Sequence, residues 1–471
     1  MATHVLDSAA AEQLDAVIKG QVITPGHEDY DEARKIFNRM IDRHPGAIVR
    51  CKDPSDVIAC VEVARAGAIE VAIKSGGHAV NGSALCDGGI VIDLSSMRRI
   101  KVDPQARTAS VQAGATWGDL DAATQEHGLA VTGGRVSSTG VTGLTLGSGS
   151  GWLERTYGFT CDSLIAADVV TADGHFVRAT EDEHSELLWG LKGGGGNFGV
   201  VTRFEFRLHE IGPMVYGGML AWPGFMAKEI ATKYRDLMLA APDTTVGGLA
   251  FLTAPPEPFV PEEARGKPMV AVIAMHVGPV EEGEDALRAL REIAPPALDM
   301  LGPIPYTAMQ QIIDGGNQPG FNNYWKAELV DALPDDAIDV LCEAAANVTS
   351  PLSVVLVQPL GGAVPRVAPD ATPLGRRDAQ FAFHAIGMWD DDDHDRHIAW
   401  ARGLAAGMEP YTSGGIYLTY IGDEGEQRIR DAFGPDKYER LVALKDRYDP
   451  GNMFHVNQNI RPSAEAVGQA G

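Results

Sequence analysis

Three things are scarce in this chain of 471 residues: cysteine, positive charge and long apolar runs. The five cysteines, Cys51, Cys60, Cys86, Cys161 and Cys342, are widely spaced and odd in number. That pattern speaks against a disulfide framework and for reduced thiols. No CxxC or comparable spacing occurs, so no metal is expected. Lysine and arginine number 39 against 64 aspartates and glutamates, a formal net charge of −25. So acidic a surface repels nucleic acid and anionic membranes at long range, and its plain consequence is solubility. No apolar run approaches the roughly 20 residues that cross a bilayer. Residues 1–7 lack a basic region followed by an apolar core, so no signal peptide is read there. The expectation is a cytoplasmic protein with neither nucleic acid nor membrane as partner.

What is present is ample material for buried cores: 45% of residues are hydrophobic. Helix and strand patterns alternate in the first third. Helical periodicity runs over 31–43, a short strand over 47–50, and Pro54-Ser55-Asp56 opens a capped helix over 57–66. Strands are predicted at 109–113, 165–171 and 201–208, the last alternating through Phe204, Glu205, Phe206 and Arg207. The pattern changes near Gly212 and Pro213. Beyond it, strands are predicted at 215–220, 247–253, 268–277, 352–360 and 379–388, with helices at 284–293, 335–346 and 397–408. This predicts an antiparallel sheet with helices on one face. The aspartates at 390–393 precede the last helix, where acidic residues are favourable. His394 and His397 lack further ligands in a defined geometry, so they predict no metal site.

Glycine falls in ordered clusters. Lys74-Ser75-Gly76-Gly77-His78-Ala79-Val80-Asn81-Gly82 lies between two apolar, strand-like runs. The glycine pair lets the backbone bend tightly, turns N–H groups toward an anion and holds the histidine on a short leash. Downstream come Ala113-Gly114-Ala115-Thr116-Trp117, then Ser138-Thr139-Gly140-Val141-Thr142-Gly143-Leu144-Thr145-Leu146-Gly147-Ser148-Gly149-Ser150-Gly151-Trp152. Tyr157-Gly158-Phe159 and Asp162 follow, then Gly193-Gly194-Gly195-Gly196-Asn197-Phe198-Gly199. The chain closes with Tyr448-Asp449-Pro450-Gly451-Asn452 and Asn457-Gln458-Asn459-Ile460. A strand, not a helix, follows Gly199, which argues against a Rossmann loop.

This ordered set resembles the FAD-linked oxidases of the vanillyl-alcohol oxidase superfamily, in the berberine-bridge-enzyme-like branch. The resemblance implies an α+β, two-domain, PCMH-type flavoenzyme. Its FAD-binding domain is expected to be discontinuous, over 1–210 and 415–471, with an antiparallel-sheet substrate domain over 211–414 inserted. His78 occupies the position that family members bond to the flavin 8α-methyl carbon, chemistry that needs a neutral imidazole nitrogen. Many relatives add a cysteine link. Val136 stands at the matching position, so FAD is expected to be held by a single histidyl bond.

The pyrophosphate is assigned to N–H groups of the 75–82 loop and of the segment 140–147. The cofactor-binding residues expected are Lys74, Ser75, Gly76, Gly77, Ala79, Val80, Gly82, Ser138, Thr139, Gly140, Gly143, Leu144, Gly147, Gly149, Gly151, Val200, Val201, Asn457 and Asn459. Thr139 and Leu144 fall where the loop should pass flavin N5. They read as plain packing or as an oxygen pocket resembling that of a bacterial subgroup that works through a flavin N5-oxide. Trp117 and Trp152 read as core, and Cys86 and Cys161 as buried thiols.

The resemblance implies an oxidase that moves a hydride from the C–H of an alcohol-type or secondary-metabolite substrate to flavin, with O2 as acceptor giving H2O2. A hydroxyl proton must leave at the same time, which requires a base within hydrogen-bond reach. Family members carry a catalytic tyrosine in a Tyr-x-Asn-Tyr context, which favours Tyr420 here, with Thr419 in place of the asparagine. If 417–420 is a strand, Tyr417 faces the other way. Tyr324 and Lys326 are candidates from across the pocket. A flavin-N5-oxide oxygenase of aromatic or polyketide-like substrates and a non-catalytic flavin-binding protein are the alternatives these residues leave open.

Overall fold

Residues 4–415, 417–418, 422 and 424–463 are described in the computed structural model. The first sheet consists of β1 (Gln21–Ile23), β2 (Ala47–Arg50), β3 (Val71–Lys74) and β4 (Ile90–Asp93), in the order β1-β2-β4-β3. The pairs β2–β4 and β3–β4 are parallel. Such strands are covered on both faces, which is why Ala47-Ile48-Val49 and Ile90-Val91-Ile92 read as unbroken apolar runs. Between β2 and β3 the helix Pro54–Gly67 crosses over. Asp53 caps its start by accepting from Ser55 N at 2.8 Å, and Ala68 ends it in the left-handed region.

The second sheet is antiparallel. Its strands are β5 (Ile100–Asp103), β6 (Thr108–Gln112) and, after the short β7 (Leu129–Ala130), β8 (Leu164–Val170), β9 (Phe176–Ala179) and β10 (Val200–Arg207). They lie in the order β5-β6-β10-β8-β9, and β7 pairs separately with β11 (His209–Glu210). One core of buried residues joins both sheets. It also takes in Leu441, Leu444 and Tyr448 of the C-terminal helix Pro435–Tyr448, and Phe454 and Ile460 beyond it.

The third sheet carries β12 (Met214–Pro223), β13 (Thr245–Thr253), β14 (Pro268–His276), β15 (Leu298–Asp299), β16 (Gly302–Pro305), β17 (Asn322–Val330), β18 (Val354–Pro359) and β19 (Phe381–Trp389). The order is β15-β12-β14-β13-β18-β19-β17, with β16 also on β12. Helices Ala227–Ala240, Asp335–Ala346 and His394–Met408 cover one face, burying Tyr234, Leu341 and Leu404 against Phe251, Val357 and Phe383. Side chains alternate across a strand. The opposite face of β17, carrying Ala327 and Leu329, therefore packs toward the core of the first two sheets and toward Phe159.

Two expectations fail. The helix predicted over 31–43 is a single turn, Tyr30–Ala33. Beyond it Asn38 donates to Val80 O at 2.8 Å and to Asn323 O at 3.0 Å, and accepts from Asn323 N at 3.0 Å. These long-range bonds displace the helical ones, so the apolar residues of this segment serve a junction between layers. Conversely, β17 is a strand that the pattern does not predict. Its Lys326 and Glu328 interrupt the apolar run because both are salt-bridged, to Glu424 and Arg428.

The C-terminal segment is tied down by a buried ion pair. Lys445 Nζ donates to Asp449 Oδ2 at 2.6 Å, to Asn197 O at 2.9 Å and to Phe454 O at 3.0 Å, and both charged side chains are 0% exposed. Lys445→Met leaves the Asp449 carboxylate buried without its partner and should cost about 3–5 kcal/mol. Denaturant unfolding is the measurement, and the double variant Lys445→Met/Asp449→Asn should recover part of the loss.

Candidate active site

Four glycine-rich or asparagine-bearing segments meet in one place. The bend after β3 brings Gly76 against Gly140: a Cβ on Gly76 would lie 2.4 Å from Gly140 N. Gly77 takes φ +64°, a conformation open to glycine at little cost. Gly195 N donates to Leu146 O at 2.9 Å, joining the second segment to the third. Asn197 joins the third to the fourth. Its Nδ2 donates to Gln458 O at 3.1 Å and its Oδ1 accepts from Ile460 N at 3.0 Å. Asn457 Nδ2 donates to Gly196 O at 3.2 Å. A cleft of about 290 Å³ opens between Asn81 and Ser83 on one side and Asn457, Gln458 and Asn459 on the other.

Several polar atoms here are buried and hydrogen-bonded to nothing among the described residues: His78 Nε2, Ser148 Oγ, Asn457 Oδ1 and Asn459 Oδ1. Buried polar groups rarely stay unsatisfied, so their clustering marks a place for a ligand. His78 stacks on Phe37 with ring centroids 3.8 Å apart, and Phe37 in turn meets Trp325 of β17 at 6.0 Å, edge to face. Burial drops the His78 imidazole well below its ordinary value, to about 4, so the ring is neutral at physiological pH.

The expected cofactor residues divide into two groups. Gly76, Ala79, Ser138 and Gly143 are exposed along the groove, and Ser75, Val80, Thr139 and Leu144 are half-buried beside it. Others turn inward. Lys74 Nζ donates to Ala33 O at 2.7 Å and lies 3.6 Å from the buried Asp93. Val200 and Val201 are core side chains of β10, and Gly151 packs against the Gly133 backbone. Trp117 and Trp152 are buried, as are the thiols of Cys86 and Cys161, whose ionisation burial opposes.

The proton-acceptor candidates do not converge. Tyr420 and Thr419 lie outside the described residues. Tyr417 is not in a strand. It is 2% exposed, 4.6 Å from the Phe159 ring, in a cluster with Cys161 and Leu329. Tyr324 points to the helix-covered face, where its hydroxyl accepts from Arg402 Nε at 3.0 Å. Lys326 lies 3.1 Å from Glu424, which borders the cleft. Trp325, the residue between them, faces the His78 loop instead. Phe37, Asn197 and Trp325 thus belong to the site although sequence reasoning did not single them out. Only Asn197, set within the glycine run, carried a signal for it.

Comparison with known proteins agrees with this geometry. Residues 45–180 match the FAD binding domain family, and residues 417–461 match the berberine and berberine-like family. An FAD-linked oxidoreductase of Dictyostelium discoideum is 31% identical over 449 residues, covering 94% of this chain and 95% of that one. (R)-6-hydroxynicotine oxidase of Paenarthrobacter nicotinovorans is 29% identical over 462 residues, covering 94% and 97%. The crystal structure of 6-hydroxy-D-nicotine oxidase from Arthrobacter nicotinovorans matches with a TM-score of 0.86 at 27% identity, covering 95% and 98%. The chain belongs to the berberine-bridge-enzyme-like family of FAD-linked oxidoreductases. It is an FAD-dependent enzyme with the two-domain α+β fold of that family. No helix among the described residues is long and apolar enough to cross a membrane.

The residues present fit FAD. Gly143 and Gly196 face open space, where a Cβ would meet nothing within 4 Å, and the orphaned atoms of His78, Asn457 and Asn459 supply polar partners. Gly76→Ala should force the two loops apart and cost about 1–3 kcal/mol, as overpacking does. Gly143→Ala, whose Cβ would meet nothing within 4 Å, should leave thermal stability nearly unchanged while lowering FAD content. Thermal unfolding and flavin absorbance per polypeptide measure both.

Proposed function

We propose that this enzyme is an oxidase that holds FAD through a single covalent bond to His78 and uses O2 as its electron acceptor. Residues 1–210 and 415–471 form its flavin domain in this reading, and 211–414 form the substrate domain. The observation that carries it is the neutral imidazole of His78, whose Nε2 is buried. That nitrogen has no hydrogen-bond partner among the described residues, and Phe37 stacks on the ring. A neutral nitrogen held in one orientation is a nucleophile with its entropy cost already met. Val136 in place of a second linking residue leaves that side of the cofactor unattached. Bound FAD supplies the hydride acceptor and, through O2, the route to H2O2.

The chain's own residues bind, orient and deprotonate. Phe37 stacks on His78 and Trp325 meets Phe37 edge to face, so the two rings set the imidazole's orientation. Tyr417 is packed against Phe159, Tyr324 is committed to Arg402 and Lys326 is paired with Glu424, and the family's tyrosine position favours Tyr420 as the proton acceptor of the substrate hydroxyl. The relative that acts on 6-hydroxynicotine suggests a small organic substrate.

Denatured protein should retain yellow, fluorescent flavin on the polypeptide, and His78→Ala should release it. Flavin freely extracted from the wild-type chain by acid would contradict the covalent reading. Peroxide formed in step with substrate supports the oxidase, whereas labelled oxygen entering the product would indicate an oxygenase.

Tyr420→Phe should slow substrate-driven bleaching of the flavin by roughly 10²–10⁴-fold, the usual span for a positioned base, with FAD content unchanged. Stopped-flow absorbance is the measurement, and an unaltered rate would remove Tyr420 from the role.

A further inference from the structure

A buried carboxyl lies where two layers of the fold meet, and no cation is paired with it among the described residues. The helix Trp117–Gln125 packs Trp117 and Leu120 into the core of the first two sheets. The short helix Tyr306–Gln310 packs Tyr306 and Met309 against Val246, Ile273 and Met275 of the third sheet. Where the two helices touch, Gln310 Nε2 donates to Asp121 Oδ2 at 3.1 Å. Asp121 is 3% exposed and Gln310 2%. The other ends of both groups, Asp121 Oδ1 and Gln310 Oε1, are buried and hydrogen-bonded to nothing among the described residues.

An ionised carboxylate only accepts, and so does the carbonyl end of an amide. Ionised Asp121 would leave both acceptors dry, which buried polar groups rarely are. A neutral carboxylic acid differs, because it is one donor and one acceptor. With its proton on Oδ1 it donates to Gln310 Oε1, while Oδ2 keeps the bond from Nε2. One proton thus satisfies both orphaned atoms. The surroundings favour that form: burial, with Asp314 adding to it, pushes the carboxyl up to about 7. The other titratable group facing it is Tyr306, one turn before Gln310, whose hydroxyl is also buried and unbonded among the described residues. Strands β5 and β7, packed against the helix Trp117–Gln125, bring no charge to it. Lys101 and Asp103 of β5 are exposed, and β7 is apolar. On the carboxyl's own helix, Asp119 is taken by Arg98 and by Thr116 N.

We propose that Asp121 is a neutral carboxylic acid closing a two-bond ring with Gln310, and that this ring is a proton-operated latch between the layer of glycine loops and the third sheet. Asp314, just beyond Gln310 in the chain, extends the latch to those loops. Its carboxylate accepts from Ser137 N at 2.9 Å and from Ser137 Oγ, between Val136 and Ser138. When the proton passes to solvent, the ring is reduced to one bond, and a buried carboxylate faces Gln310 Oε1 and Asp314. The latch is closed in acid and slack in base. The folded chain keeps this proton up to about 7, and the unfolded chain only up to its ordinary value near 4. The folded state therefore binds more protons across that window, and the latch's contribution to stability falls as pH rises through it.

The test uses the flavin-loaded enzyme. Asp121→Asn keeps both bonds of the ring and has no proton to lose, so it is the closed latch at every pH. The infrared difference between about pH 6 and about pH 8 should contain a protonated carboxyl stretch that Asp121→Asn lacks. In urea unfolding, the folding equilibrium of the wild type relative to Asp121→Asn should fall by up to about tenfold per pH unit between about 4 and about 7, then stay level. The exchanged pair Asp121→Asn/Gln310→Glu moves the acid to the other side of the ring and should restore the pH dependence. Tyr306→Phe removes the neighbouring hydroxyl and should leave the window in place. A wild type without the stretch, a flat ratio, or an exchanged pair without pH dependence overturns the inference. So does a window that vanishes in Tyr306→Phe, or an Asp121→Asn chain that fails to fold.

Discussion

The buried pair Lys445–Asp449 is the constraint on which the site depends. Two charges removed from water cost several kcal/mol unless every donor and acceptor is met. Here they are met: the ammonium donates three times, and the carboxylate also accepts from Met453 N and Phe454 N at 2.8 Å each. Two of the ammonium's bonds go to the backbone of Asn197 and Phe454. The pair therefore sets the turn from which Asn457 and Asn459 reach the cleft, and fixes it to the glycine run that faces them. Asn197 and Lys445 are 248 residues apart in sequence. Closing so long a loop costs little more than closing a short one, because the entropy grows only logarithmically. A whole sheet with its helices is thereby accommodated between the two halves of the cofactor cradle.

That sheet is positioned by polar contacts across the junction. Asn38 bridges the 75–82 loop and β17 through three bonds, and Asp162 holds Arg377 through two, at 2.6 and 2.9 Å. Ser137 N donates to Asp314 at 2.9 Å, tying the loop beside Val136 to the far layer. Directional bonds of this kind specify one orientation, where apolar packing alone tolerates sliding. The consequence for chemistry is that Trp325 is carried to a defined place beside the ring stacked on His78.

How much of this was legible in the sequence follows from what each residue obeys. Gly76, Gly77 and Gly140 answer to backbone geometry, which is local, so the loops they form could be read directly. Parallel strands β2 and β4 announce themselves as continuous apolar runs, and β10 by its alternation. The segment after Tyr30 misleads because Ala33, Ile36, Phe37 and Met40 have helical spacing, yet Asn38 bonds to the 75–82 loop and to β17 far along the chain. The strand β17 is hidden because Lys326 and Glu328 look solvated until Glu424 and Arg428 are placed beside them. The alternation that puts Tyr324 away from the His78 loop and Trp325 toward it needs the register with β19, which no local pattern contains.

The net charge of −25 surrounds the molecule with a field that slows anions on approach. At physiological ionic strength that field fades over about 8 Å, so it governs encounter and not the occupied site. Inside, buried charge is paired where it stands: Arg135 with Glu154 at 2.9 Å and Lys445 with Asp449 at 2.6 Å. Each cation also binds backbone beside the glycine segments, Arg135 at Gly151 and Lys445 at Asn197 and Phe454. Buried charge in this fold therefore acts through the geometry it imposes, and surface charge through the field it projects.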